Sequence, residues 1–216
     1  SYRFDHDDPA DWIAHHFLTG GIMPAPDIYM RKICVGATAK GRVDIEAPMA
    51  ETLEVLARCY QRRIRDLRVI VLDANDPGDP GQLRFLRRQL SEATEPARIV
   101  ALHQPVYTSG LHGPSATAQR LWAPLFRRGG VALVLQGHNH MYERLQVDGV
   151  TYVTTGGGGA PLYPCVRPAR GLRECVLAHH FLAVNASARR ISLRAVSPRG
   201  VTLDRIAIPV RRGSGG

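Results

Sequence analysis

Histidines follow two apolar runs of the sequence. His103 comes directly after residues 99–102, and a Gly-His-Asn-His stretch at 137–140 follows a second run. Unbroken apolar runs bounded by glycine and polar residues are typical of strands covered on both faces, and ligand sites in α/β sheets gather at strand carboxyl ends. On an extended backbone, His138 and His140 would point to the same side. We therefore expect three imidazoles to converge on a metal ion.

The composition indicates one sizeable core and excludes several partners. With 216 residues, 44% of them hydrophobic and 22% charged, the chain fits a single globular domain. No apolar stretch approaches the roughly 20 residues of a membrane span, so we expect a soluble protein without a membrane partner. The net charge of +9 comes mostly from arginines scattered along the chain rather than from a dense basic block. It is therefore not evidence for nucleic-acid binding.

Strand and helix patterns alternate up to about residue 140 and then give way to strands alone. Before that point we predict helices over 9–18, 49–59, 79–90 and 117–126, and strands over 29–35, 67–72, 99–103 and 131–136. After it, Asp148-Gly149 predicts a hairpin of residues 141–147 and 150–155. Antiparallel strands are expected at 180–184, 191–196 and 201–208. The pattern favours an α/β fold with a parallel sheet core and an antiparallel part.

The four cysteines do not have the paired short spacings of a zinc ribbon. Cys165 and Cys175 flank an Arg- and Pro-rich loop and either close it as a disulfide or remain reduced. A secreted or periplasmic location is slightly favoured, but the compartment stays open. We expect residues 1–210 to form one incomplete domain and residues 211–216 to form a flexible tail.

Several motifs, taken together, resemble those of the calcineurin-like metallophosphoesterases, in their purple acid phosphatase-like branch. They are Val-Leu-Asp at 71–73, Leu-His-Gln-Pro at 102–105, Gly-His-Asn-His-Met-Tyr-Glu-Arg at 137–144, and a glycine-rich stretch at 149–163. The resemblance covers residues 67–208 and extends loosely back to residue 4. It implies a mixed β sandwich flanked by helices, with the N-terminal part of the fold missing.

The resemblance also implies a metal site and its ligands. His103 and His138 match the family's ligands of one metal ion, and His140 matches a ligand of the other. Asp5 takes the place of a family asparagine that also binds metal. His6 and His112 match histidines that contact the substrate, and these are our candidate catalytic residues. The implied cofactors are Fe, Zn or Mn ions, two in the complete family site and at most one well held here.

Two upstream motifs of the family have no match in this sequence. They are the first Asp-Xaa-His motif and the Gly-Asp motif that supplies a bridging carboxylate, and both would belong upstream of Ser1. Asp73 matches a family aspartate that is not a metal ligand, so we expect it to serve packing and local hydrogen bonding. Asp5 and His6 could equally belong to a frayed acidic terminus.

The function implied by the resemblance is hydrolysis of phosphomonoesters or phosphodiesters by attack of a metal-bound hydroxide. The substrate would be a small phosphate ester, while partner proteins are unknown. Because the bridging carboxylate is missing, we expect weak or no activity from this chain alone. The alternatives are a non-catalytic phosphoesterase-like remnant used for binding, and a secreted antiparallel binding module closed by Cys165 and Cys175.

The remaining histidines and the tetraglycine at 156–159 are expected to be structural. His15 and His16 are adjacent in a predicted helix, and His179 and His180 are adjacent before a strand. Neighbouring side chains point in different directions and cannot easily face one site. The four glycines most simply allow another part of the chain to pass close by.

Overall fold

The computed structural model describes residues 59–210, which form two β-sheets and three helices. The larger sheet has seven strands in the order β1-β2-β3-β4-β6-β5-β7, and the smaller sheet has three in the order β10-β9-β8. The strands are β1 (Tyr60–Ile64), β2 (Leu67–Val71), β3 (Ala97–Ala101), β4 (Leu133–Gln136), β5 (Tyr142–Val147), β6 (Val150–Thr155), β7 (Leu172–Val176), β8 (Phe181–Ala186), β9 (Arg190–Val196) and β10 (Thr202–Pro209).

The centre of the larger sheet is parallel. Strands β2, β3, β4 and β6 pair in parallel, and all five residues of β3 are buried. Such strands are covered on both faces, which explains their continuous apolar sequences. Their shared direction brings the carboxyl ends of β3, β4 and β6 to one edge of the sheet.

The three helices are α1 (Pro80–Ser91), α2 (Ala116–Leu121) and α3 (Ala123–Arg128). The Asp79 side chain caps α1 by accepting a hydrogen bond from the Gln82 backbone N–H. Ser115 caps α2 in the same way. These helices pack Phe85, Leu86 and Phe126 into a core cluster. They cover one face of the parallel strands.

The smaller sheet is antiparallel throughout and packs on the other face of the larger one. Ile191 and Leu193 of β9 share a second core cluster with Ile99 and Val153 of the large sheet. A polar contact also joins the two sheets, because the Tyr142 hydroxyl donates to Asp204 at 2.6 Å. The architecture is a mixed α/β sandwich, as expected.

Most of the predicted elements within residues 59–210 are confirmed. The Asp148-Gly149 turn has positive φ at both residues, as a two-residue hairpin of type I′ requires. The predicted helix over 117–126 is instead two helices, because the chain changes helix at Trp122 and Pro124 lies in the first turn of α3. Strands β1 and β7 were not predicted, and the predictions over 9–18, 29–35 and 49–58 lie outside the described residues.

A disulfide joins Cys165 to Cys175, which decides between the two alternatives left open by the sequence. It closes the segment that leads from the glycine-rich stretch into β7. Within residues 59–210, no helix is long and apolar enough to cross a membrane.

Candidate metal centre

The parallel ladder continues past the ends of β3 and β4 and places two site segments side by side. The Leu102 N–H donates to the Leu135 carbonyl at 3.0 Å, and the Gly137 N–H donates to the His103 carbonyl at 2.9 Å. A Cβ atom on Gly137 would lie 3.4 Å from Nδ1 of His103. This is an ordinary van der Waals distance, so residue 137 packs directly against the imidazole of the neighbouring strand.

The rings of His103 and His138 are in direct contact. Nε2 of His103 lies 3.1 Å from Nδ1 of His138, and the ring centroids are 5.0 Å apart in an edge-to-face arrangement. At this distance one nitrogen donates and the other accepts, or both direct lone pairs at a shared cation. The predicted convergence of these two imidazoles is present.

The backbone of the Gly-His-Asn-His stretch is not extended, so the sequence-based reason for its geometry was wrong. His138 has φ of 66°, in the left-handed region, and the Asn139 N–H donates to the Gly137 carbonyl at 2.8 Å. The chain therefore turns tightly at His138. The turn directs Asn139 inward, where its side chain is fully buried.

His140 is oriented by a backbone carbonyl. Its Nδ1 lies 2.9 Å from the carbonyl oxygen of Pro161, and a carbonyl can only accept, so Nδ1 carries the proton. Nε2 of a neutral His140 then has a free lone pair. Metal-binding histidines commonly donate their other ring N–H to a carbonyl in this way.

Burial and mutual repulsion disfavour protonation of His103 and His138. His103 keeps part of its surface in solvent, but the protein around the ring desolvates it, and positive charge on His138 or His140 would oppose its own. These effects lower the pKa of His103 to about 4. Burial, His112 and His140 lower the pKa of His138. Neutral imidazoles are the form that binds metal ions.

His112 lies on an exposed loop beside His138. Their ring centroids are 4.4 Å apart. The loop is held by Asn139, whose Oδ1 accepts from the His112 N–H at 2.9 Å and whose Nδ2 donates to the His112 carbonyl at 2.8 Å. Asn139 of the Gly-His-Asn-His motif thus fixes the backbone of His112. Its type in the sequence gave no reason to expect this role.

A buried carboxylate lies beneath this loop. Glu143 accepts hydrogen bonds from the Thr108 hydroxyl at 2.8 Å, from the Ser109 N–H at 2.6 Å, and from the Ser109 hydroxyl. The Thr154 hydroxyl on β6 donates to it at 3.2 Å. Glu143 therefore ties the His112 loop to the sheet. Nothing in the sequence around Glu143 marked it as a site residue.

The glycine-rich stretch allows close passage of the chain, as predicted. A Cβ atom on Gly156 would collide with the Asn139 carbonyl, and one on Gly157 would lie 2.6 Å from the Ala178 carbonyl. His180 is also structural, since Nδ1 donates to the Ala178 carbonyl at 2.9 Å and Nε2 lies 3.1 Å from the Thr155 hydroxyl.

The other predicted site residues fall in different places. Asp5 and His6 lie outside the described residues, as do His15 and His16. Asp73 accepts from the backbone and side-chain N–H groups of Asn75 at 2.9 and 2.8 Å, which is the local role expected for it. Asp73 thus belongs to a turn and not to the histidine cluster.

The described residues fit part of a metal site. Two imidazole nitrogens bound to one tetrahedral Zn²⁺ lie about 3.3 Å apart, close to the 3.1 Å between His103 and His138. The free Nε2 of a neutral His140 has the lone pair that a metal ligand needs. However, no group of three or more His, Cys, Asp or Glu side chains within residues 59–210 is arranged to hold a metal ion.

Comparisons with known proteins point to acid phosphatases. The chain is 31% identical over 140 residues to tartrate-resistant acid phosphatase type 5 of Rattus norvegicus, covering 60% of this chain and 42% of that protein. Its structure is similar to purple acid phosphatase PPD1 from seeds of yellow lupin (Lupinus luteus), with a TM-score of 0.65 and 18% identity over 81% of this chain and 35% of that one. These similarities agree with the resemblance of the sequence motifs to the purple acid phosphatase-like branch of the calcineurin-like metallophosphoesterases. The chain spans less than half the length of the curated acid phosphatases it matches.

A second family matches the first third of the chain. The model of bacterial fructose-1,6-bisphosphatase, glpX-encoded, matches residues 14–76. The chain is also 45% identical over 53 residues to D-fructose 1,6-bisphosphatase class 2/sedoheptulose 1,7-bisphosphatase of Gloeobacter violaceus, covering 24% of this chain and 15% of that protein. The matched range includes β1 and β2 and ends just before α1. No motif in the sequence had indicated this family.

Proposed function

We propose that the chain is part of a metal-dependent phosphoester hydrolase. The observation that carries this proposal is the 3.1 Å contact between Nε2 of His103 and Nδ1 of His138, at the carboxyl edge of two parallel strands. In the proposal, His103 and His138 hold one divalent cation, with His140 beside them. The similarity to acid phosphatases supports the reaction class.

In this proposal, different side chains bind the cation and the phosphate group. The cation, when bound, supplies Lewis acidity toward a phosphate oxygen. His112, exposed and 4.4 Å from His138 between ring centroids, can donate an N–H to a second phosphate oxygen. Asn139 holds the His112 backbone in place, so the donor does not have to be ordered when substrate arrives.

Residues 59–210 contain one incomplete ligand set, and we therefore expect weak hydrolysis at most from this chain alone. The second candidate function is binding of a phosphate ester without hydrolysis. It is favoured by the absence, within residues 59–210, of a cluster of three metal-ligating side chains. The disulfide between Cys165 and Cys175 supports a secreted or periplasmic location.

The test measures metal binding and hydrolysis in the same protein. Purified full chain is titrated with Zn²⁺ and Mn²⁺ by calorimetry, and then assayed with p-nitrophenyl phosphate, bis-p-nitrophenyl phosphate and fructose 1,6-bisphosphate. The last substrate is included because of the second family match. We expect close to one equivalent of bound metal and a low turnover that the metal increases.

Two variants test the proposed metal site, and the presence or absence of turnover distinguishes hydrolysis from binding. His103→Ala with His138→Ala should reduce metal affinity at least tenfold, whereas His179→Ala, which alters an exposed histidine outside the cluster, should leave it unchanged. Metal binding that persists in the double variant would contradict the proposed site. Metal binding without any turnover on the three esters would favour the binding function instead.

A further inference from the structure

Tyr163 contacts three histidines of the candidate metal centre, His112, His138 and His140. The Tyr163 hydroxyl donates to the His138 carbonyl at 2.6 Å, since a carbonyl can only accept. Its ring lies 4.7 Å from the His140 ring and 5.5 Å from the His112 ring, measured between centroids. Its backbone N–H donates to the His140 carbonyl at 3.4 Å.

The hydroxyl contact falls on the most constrained residue of the loop. His138 has φ of 66°, a conformation that costs a residue other than glycine of order 1–3 kcal/mol unless its surroundings hold it there. The hydrogen bond from Tyr163 fixes the peptide plane that follows His138. Without the hydroxyl, the residue is freer to leave this conformation and to move its ring away from His103.

The backbone near Tyr163 orients a second imidazole. Pro161, two residues earlier, supplies the carbonyl that accepts the Nδ1 proton of His140. The stacked rings of Tyr163 and His140, tilted by 35°, keep this segment against the loop. The disulfide at Cys165 and the N–H groups of Val166 and Arg167, which donate to the Ser109 carbonyl, anchor the segment on its other side.

We propose that Tyr163 is a positioning residue of the metal site, acting on His138 through its hydroxyl and on His140 through its ring and backbone. Where it concerns metal binding, this inference rests on the proposed function. The positioning of the imidazoles does not depend on a metal. Tyr163 is the last residue of the glycine-rich stretch at 149–163, whose resemblance to the family gave this tyrosine no role.

The test compares two tyrosines that each lose one hydroxyl bond of 2.6 Å. Tyr163→Phe removes the bond to the His138 carbonyl, and Tyr142→Phe removes the bond to Asp204, away from the cluster. Zn²⁺ affinity is measured by calorimetry on each full-length variant. We expect about tenfold weaker binding for Tyr163→Phe, and wild-type binding for Tyr142→Phe. Tyr163→Leu, which also removes the ring, should bind more weakly still.

A second measurement tests the positioning of the imidazoles by Tyr163 without a metal. Long-range ¹H–¹⁵N spectra of the imidazoles report which ring nitrogens carry protons. In the wild type, His103 and His138 should give one donor and one acceptor nitrogen at their contact, and His140 should be protonated on Nδ1. In Tyr163→Phe we expect the shifts of His138 to move toward values averaged over both tautomers.

The outcomes separate this inference from the proposed function. If the wild type binds no Zn²⁺, the metal site is refuted, and the imidazole spectra alone decide the role of Tyr163. An unchanged imidazole spectrum in both Tyr163 variants would overturn the inference, whatever the Zn²⁺ affinity. If Tyr142→Phe changes these spectra as much as Tyr163→Phe does, the effect is general loss of stability and the inference also fails.

Discussion

Two buried charged side chains lie at opposite ends of the strands of the seven-stranded sheet, here called its carboxyl edge and its amino edge. They have different kinds of hydrogen-bonding partners. Glu143 is near the carboxyl edge, where β5 faces the end of β6, and is surrounded by hydroxyl and N–H donors from the His112 loop. Arg68 is near the amino edge, at the start of β2. Its Nε donates to Glu95 at 2.7 Å, and its Nη1 donates to the Gln89 carbonyl at 2.8 Å. Both side chains are fully buried.

The two networks fix different parts of the molecule. The carbonyls bound by Arg68 belong to the end of α1, so this side chain satisfies helix-terminal acceptors and ties the helix to the sheet. Glu143 ties a loop to the sheet, and that loop carries a candidate substrate-binding histidine. A buried charge at the amino edge therefore serves stability, while one at the carboxyl edge also determines where the site residues lie.

The sharpest test of this contrast is removal of Glu143. Glu143→Ala leaves the Thr108 hydroxyl and both Ser109 donors buried without their acceptor. Since each unsatisfied donor costs about 1–3 kcal/mol, we expect a loss of about 3–5 kcal/mol in the free energy of unfolding. Zn²⁺ affinity should fall more than tenfold, because the Thr108 hydroxyl held by Glu143 accepts from Nδ2 of Asn139 at 3.1 Å, and Asn139 lies between His138 and His140. Urea unfolding and calorimetry measure the two effects.

The control for this variant is Gln146→Ala, which alters an exposed residue of the same strand. It should change neither quantity. Glu143→Gln, which keeps one acceptor oxygen, should fall between Glu143→Ala and the wild type. A Glu143→Ala protein that loses stability but binds Zn²⁺ normally would mean that His138 and His140 keep their positions without the carboxylate.

Removal of Arg68 should affect stability alone. Arg68→Met leaves Glu95 with only its 3.3 Å contact to the more exposed Arg63. Breaking a buried pair in this way costs about 3–5 kcal/mol, and we expect a value near 3 kcal/mol because Arg63 remains. Zn²⁺ affinity at a temperature where the variant is folded should equal that of the wild type. A large loss of affinity would remove the distinction between the two edges.

The elements that position the site could be predicted because local sequence determines them. The apolar runs that end at His103 and before Gly137 are the buried centres of β3 and β4, and parallel pairing brings their ends together. Edge strand β1 was missed because its sequence Tyr-Gln-Arg-Arg-Ile does not alternate between apolar and polar residues, and three of its five residues are exposed. Its identity as a strand depends on pairing with β2.

The contacts that orient the site could not be predicted in the same way. Glu143 and Tyr163 act on residues more than twenty positions away, and nothing in their own surroundings in the sequence marks them. The left-handed turn at His138 was missed because it depends on Asn139 being drawn into the loop that precedes α2. The roles of Asp5 and His6 stay predictions, since both lie outside the described residues.

The smallest expected effect is a pH dependence of the stabilisation that the Arg68 network provides. Burial alone would raise the pKa of Glu95, but the hydrogen bond from Arg68 and the charges of Arg68 and Arg63 outweigh it and lower the pKa below 4.5. A carboxyl group with a depressed pKa in the folded state stabilises the protein above the unfolded pKa, and this contribution is lost as the pH falls through the folded pKa. The difference in unfolding free energy between wild type and Arg68→Met should therefore narrow as the pH falls from 7 to 3. Arg128→Met, an exposed control at the end of α3, should show no such narrowing. If the difference stays constant with pH, the pair with Glu95 is not what Arg68 contributes, and its bonds to the end of α1 account for its stabilising effect.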